Sequence, residues 1–155
     1  MVQLVLFLHV LGAIIVIGPS FAFPLIAGQA RRSPQNSHFA ALVTDVIERK
    51  IIIPGAIVQG ITGVLLIIAL GADLTSPPWR WLIVGIVLYL IAIGYAVAVQ
   101  APTVAKMVEL TKTPPGPEGP SPELLATAKK AQRGGMFLGL LIVVIVFLMV
   151  VKPVG

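Results

Sequence analysis

Polar and apolar positions are segregated into long blocks along this chain. Asp, Glu, Lys and Arg are absent from Met1–Ala30, Ile51–Ala72, Trp81–Ala105 and Gly134–Val151, and every charged residue falls between or beyond those stretches. A hydrocarbon core of ~30 Å takes about 20 apolar residues at a rise of ~1.5 Å each. The pattern therefore predicts four membrane-spanning helices, at about 2–28, 51–72, 79–103 and 134–152. A helix closes its backbone hydrogen bonds internally, which lets it cross lipid where a loop or open sheet cannot. The expected fold is all-α: an integral membrane four-helix up-down-up-down bundle in one domain spanning 1–155.

Finer patterning modifies that outline. Pro19 and Pro24 in span one each remove a backbone donor, which predicts a bent or ragged second half. From His38 a helical stripe of Phe39, Leu42, Val43, Val46 and Ile47 alternates with Asp45, Glu48, Arg49 and Lys50 on other faces. This amphipathic lead-in, 38–50, is expected to start at an Ser37 cap and run into span two, with a bend at Pro54–Gly55. Its apolar stripe should rest on the inner membrane surface or on the extension of span three. Span two should end at Gly71, and Ser76–Pro77 reads as the cap and first position of span three. Past Gln100 and Pro102 that span continues with Val104, Ala105 and Val108 on one face. The segment 113–121 holds four prolines and predicts a stiff, non-helical loop. Ser121–Pro122–Glu123 then restarts a helix with a cap, an N1 proline and a first-turn acid.

Charge adds an orientation. Two connections hold nine of the eleven basic residues: Arg31, Arg32, Arg49 and Lys50 in one, Lys106, Lys112, Lys129, Lys130 and Arg133 in the other. The positive-inside rule places loops 29–50 and 104–133 in the cytoplasm and both termini outside, in a bacterial cytoplasmic membrane. Trp79 and Trp81 are expected to anchor the outer interface, and Lys129, Lys130 and Arg133 the inner one, against anionic lipid headgroups. No basic stripe interleaved with aromatics points to nucleic acid. With no cysteine, thiolate-bound haem and Cys-ligated iron–sulfur clusters are excluded. The first apolar run lacks a basic n-region and outruns the ~7–15 residues of an h-region, so a cleaved signal peptide is not expected.

The polar residues inside the spans are few: His9, Ser20, Gln59, Thr62, Tyr89, Tyr95 and Gln100. No carboxylate, Lys or Arg accompanies them, which argues against an acidic proton relay, a voltage sensor or a paired-carboxylate site. His9 is the sharpest of the set, since a neutral imidazole can ligate haem iron. Met149 and Tyr89 lie at comparable depth as weak candidates for a second ligand. His38 is 29 residues away, ~43 Å along a helix, and cannot share that iron within one chain. The blander expectation is a hydrogen bond from His9 to Tyr89 or Thr62 that fixes packing. Gln59, Thr62 and Gly63 share one face of span two and read as interhelical glue or as the lining of a small polar pocket. Gln100 lies near the inner surface, within reach of water. Small residues recur at four-residue spacing (Ala56/Gly60, Ala92/Ala96, Gly94/Ala98, Gly135/Gly139), as close helix packing in lipid requires.

Leu8–His9–Val10–Leu11–Gly12, the amphipathic lead-in and Val58–Gln59–Gly60–Ile61–Thr62–Gly63 together resemble a family of uncharacterised bacterial four-span integral membrane proteins, a domain of unknown function. The Leu-His start of span one is loosely similar to copper-resistance-type and membrane protoporphyrinogen-oxidase-type domains. In those an early histidine is associated with redox or metal chemistry, an implication that reaches only His9. The tryptophan that often follows the histidine there has no equivalent here, where Ile15, Val16 and Ile17 stand. The expected function is a small non-catalytic accessory or structural subunit of a membrane assembly, as a homo-oligomer or within a larger complex. A b-type haem electron-transfer protein using His9 is the first alternative, and a small oligomeric channel or transporter the second.

Overall fold

The computed structural model describes residues 1–114, 116 and 118–153. Four long helices account for most of it: α1 (Val2–Arg32), α2 (Pro34–Ala69), α3 (Pro77–Thr111) and α4 (Pro122–Val151). Their 30–36 residues correspond to roughly 45–54 Å of helix, so each one outruns a ~30 Å core. No strand occurs among the described residues, apart from one isolated bridge between Gly116 and Gly119. The architecture is an all-α membrane bundle.

Helix ends follow local chemistry. At the end of α2, Gly71 takes φ 62°, its N–H bonds to Ile68 O, and the Ala72 N–H reaches Ile67 O. That pair of bonds needs a left-handed residue, which glycine adopts at no steric cost. In the turn to α3, Asp73 Oδ1 accepts from the Thr75 hydroxyl at 2.7 Å and the Thr75 N–H at 2.9 Å. The hydroxyl first and then the amide hold the Asp73 carboxyl below its ordinary pKa. Pro77 opens α3, and Ser121 caps α4 by accepting the Leu124 N–H at 3.2 Å ahead of Pro122 and Glu123. Ser37 is not a cap. Pro34 starts α2 three residues earlier, and Ser37 lies inside the helix with its hydroxyl donating to Ala30 O at 3.4 Å. Of the Pro-rich segment, Pro115 and Pro117 lie outside the described residues.

Three helices change pitch part-way. α1 tightens to a 3₁₀ turn at Gly18–Ala22, while α2 and α3 widen to π turns at Glu48–Ile52 and Ala96–Gln100. Each irregular turn ends two residues before a proline: Pro24, Pro54 or Pro102. A proline withholds one N–H and crowds the carbonyl four residues back, and the altered pitch relieves that crowding.

Packing sorts the helices into two hairpins. α1 runs antiparallel along α2, with His9 beside Thr62, Gly12 beside Gln59 and Val16 beside Gly55. α3 packs along α4 in the same way, with Tyr95 edge-on to Phe137 at 5.0 Å between ring centroids. At their charged ends α2 and α3 join the hairpins, where Ala41, Ala101, Thr103 and Val104 are buried and Val104 is 2% exposed. His38 Nδ1 bonds Thr111 Oγ1 there at 3.2 Å, and Lys106 pairs with Glu123 of α4 at 2.6 Å. Exposed pairs of the latter kind contribute ~0–1 kcal/mol, so apolar contact holds this junction.

Of the two expected settings for the lead-in stripe, packing on the extension of α3 is not the one adopted. Phe39 is 69% exposed, and Leu42 and Val46 also face outward, while Ala41 and Glu48 are buried within the bundle. The stripe therefore does not pack on the extension of α3. Small side chains let two backbones approach here, and the bulky ones are turned out of the bundle.

Candidate functional site

Toward the apolar end the two hairpins diverge. α2 and α3 scarcely meet there apart from Tyr89, whose hydroxyl donates to Ala56 O at 2.9 Å. Between the hairpins lies an elongated cleft of about 2320 Å³, lined mainly by apolar residues. Its polar lining includes His9, Gln59, Ser20 and Tyr89 along the apolar length, and His38, Glu48, Gln100, Lys112 and Lys129 among others toward the charged end. Small-molecule pockets occupy ~300–1000 Å³. A 30 Å length of helix about 10 Å across fills on the order of 2400 Å³. That volume is spread along the bundle from Leu6 and Lys152 at one end to Pro34 and Pro114 at the other, a long groove rather than a compact cofactor pocket.

On one wall, His9, Gln59 and Thr62 form a closed network. The Thr62 hydroxyl donates its one proton to Gln59 O at 3.0 Å, so it accepts from the His9 Nδ1–H at 2.9 Å. His9 Nε2 then carries a lone pair and accepts from Gln59 Nε2 at 3.1 Å. With the Thr62 proton on Gln59 O, these contacts match the Nδ1–H tautomer. Both ring nitrogens are engaged, so iron ligation through Nε2 requires the Gln59 amide to turn away. Gln59 Oε1 is left without a partner and lies against Gly12, where a Cβ would come within 2.6 Å of it. Gly63 leaves room for the imidazole, whose Cε1 would sit 3.4 Å from a Cβ there.

The other polar groups are dispersed. Tyr89 bridges α3 to α2, while Tyr95 faces α4, consistent with their six-residue separation. Met149 packs beside Gly85, where its Cε would lie 3.4 Å from a Cβ, within the α3–α4 hairpin. His38 bonds Thr111 at the charged end, in a different part of the bundle from His9. Trp81 is buried with its indole N–H on Pro78 O at 3.0 Å, and Trp79 is half-buried beside it. Lys129, Lys130 and Arg133 are all exposed on α4.

Two residues differ from their expected settings. Gln100 is 9% exposed, and its amide donates to Ala131 O at 3.2 Å, so a helix carbonyl satisfies it rather than water. Glu48, set by the lead-in pattern off the apolar stripe with Asp45, Arg49 and Lys50, is 3% exposed with Oε2 unpartnered. The pattern that could have revealed it is Ala41–Thr44–Glu48, a small and polar stripe at helical spacing opposite the bulky one.

The profile of a family described as Predicted integral membrane protein (DUF2269) matches residues 3–153. The chain belongs to that family. No match was found among curated proteins or solved structures. The family description agrees with the four apolar helices and assigns no activity to His9, Gln59 or the cleft.

The network on the cleft wall makes a measurable prediction. His9→Ala and Thr62→Val, combined in a double-mutant cycle of detergent unfolding, should couple by about 0.6 kcal/mol, the average for hydrogen bonds between membrane helices. Zero coupling would show that the two side chains do not act on each other.

Proposed function

We propose that this protein is a small non-catalytic subunit of a membrane assembly, holding an apolar helix of another chain between its two hairpins. The cleft carries this reading. It is a long groove with a volume on the order of one membrane-spanning helix and a mainly apolar wall, its charged lining residues lying near its ends. Gly139 lines it, and a Cβ there would meet nothing within 4 Å, so a partner's backbone could approach closely. Inserting one copy's helix into the next copy's cleft is head-to-tail and gives an open array unless the rotation happens to close. The occupant is therefore read as a helix of a different chain. The charged ends of α2, α3 and α4 face the cytoplasm and both termini lie outside, as the loop charges favour.

A photo-crosslinker at Gly139 should trap one defined partner from native membranes, while the same group at the outward-facing Leu140 should trap lipid. Gly139→Trp should release the partner without unfolding the bundle. Crosslinking to lipid alone from Gly139, or only to a second copy, would refute the reading. A Soret band lost in His9→Ala would replace it with the b-type haem alternative, with Met149 and Tyr89 as candidates opposite His9. Ion flux into liposomes would favour the channel. Orientation is separately testable because the chain has no native thiols. Cysteine at Thr75 should label from outside intact cells and cysteine at Gln35 should not, and the reverse result would invert the topology.

A further inference from the structure

Three cations stand at the charged end of the cleft, each from a different helix. Arg31 lies in the last turn of α1, Lys112 directly follows α3, and Lys129 lies early in α4. All three are exposed and line the cleft. Observed bonds set them side by side. Arg31 donates to Gln132 of α4 at 3.2 Å, and Lys129 lies three residues before Gln132 on the same face of that helix. The Ser37 hydroxyl bonds Ala30 O, next to Arg31, while the adjacent His38 bonds Thr111, next to Lys112. A helix lying in the cleft, ~10 Å across, therefore ends among all three.

Little negative charge offsets this group. Arg31 is bonded to a neutral amide, and Lys129 has no carboxylate partner among the described residues. Lys112 pairs with Glu109 at 2.7 Å, but both side chains are more than half exposed, and a pair of that kind is weak enough to exchange. Glu48 is the one carboxylate among the described lining residues, and at 3% exposure it is withdrawn from an occupant.

Membrane helices commonly carry Lys and Arg on the cytoplasmic flank, the side to which the loop charges assign this end of the cleft. Such a flank meets like charge here and is rejected, whereas an acidic one is attracted. We propose that the helix held in the cleft bears Asp or Glu at the end beside the charged loops, paired with Arg31, Lys112 and Lys129. This rests on the subunit reading and adds the partner's chemistry and direction to it. Of the two ways a helix can be threaded, only one brings its acids to these cations.

Two synthetic Leu–Ala helices of about 20 residues test it, identical except for Glu-Glu or Lys-Lys at one end. They are mixed equally in phosphatidylcholine vesicles with the full chain carrying a photo-crosslinker at Gly139, and the trapped peptides are counted by mass. At low salt the Glu-ended peptide should be trapped about fivefold more than its twin, which two or three exposed ion pairs can supply. About 0.5 M NaCl should shrink that ratio, because it screens exposed charges. Arg31→Gln, Lys112→Gln and Lys129→Gln together should bring the ratio to one. All three residues are exposed, and six of the nine loop cations remain to hold the topology. This variant keeps Lys152 at the opposite end of the cleft, so a lost preference belongs to the three. Equal trapping of both peptides by the chain with its cations intact would overturn the proposal and leave the subunit reading standing. Trapping of neither would overturn both, since a cleft that excludes an apolar helix holds none. In vesicles containing phosphatidylglycerol, enrichment of that lipid by the same three charges, with no preference between the peptides, would also overturn the proposal and assign the cations to a lipid headgroup.

Discussion

Leucine at Gly60 is expected to destabilise the bundle by about 3 kcal/mol, the upper part of the range for forcing extra volume into a packed site. A Cβ there would collide with the Tyr89 hydroxyl and lie 2.9 Å from its Cζ, so the clash begins before the rest of the side chain is placed. The obstacle is a ring held by its own bond to Ala56 O, and turning it away gives up that bond. Gly94→Leu is the matched control, because a Cβ there meets nothing within 4 Å and the cost should stay within ~0.5 kcal/mol. Detergent-induced unfolding of both variants measures the contrast. Tyr89→Ala in the Gly60→Leu background should recover part of the loss. Equal costs at the two glycines would mean that α2 and α3 do not approach through Tyr89.

The second large effect is expected at the charged end. Val104→Asp should cost about 3–5 kcal/mol, because it puts an uncompensated charge where the side chain is 2% exposed. Phe39→Asp introduces the same charge where the side chain is 69% exposed, so the fold should survive. It should instead loosen whatever covers the outward stripe of Phe39, Leu42 and Val46, read as reduced extraction resistance from membranes. Unfolding midpoints and carbonate extraction of the two variants separate the effects. If Phe39→Asp unfolds the protein while Val104→Asp does not, the lead-in helix is rotated from the setting described here.

Much of the fold was legible in the chain because lipid imposes a coarse rule. Long stretches without charge must be helices, and their ends show as Gly71, Ser76–Pro77 and Ser121–Pro122. The setting of the lead-in helix was not legible. Phe39, Leu42 and Val46 form a stripe whose spacing is the same whether it faces a neighbour or lipid, and periodicity carries no sign for that choice. Gln100 was misplaced for a related reason, and the burial of Glu48 was not foreseen. Distance from a helix end suggests water, but a neighbouring helix arriving at that level removes the water.

The candidate site divides in the same way. Gln59, Thr62 and Gly63 on one face, and His9 with space beside it, follow from helical spacing alone. That the imidazole lies against that face, with both nitrogens engaged, depends on the register between α1 and α2. Class, number of spans and helix ends were set by local composition, because solvation in a bilayer is decided residue by residue. The cleft and the buried Glu48 were decided only by tertiary packing, since each depends on which residues of different helices share a level.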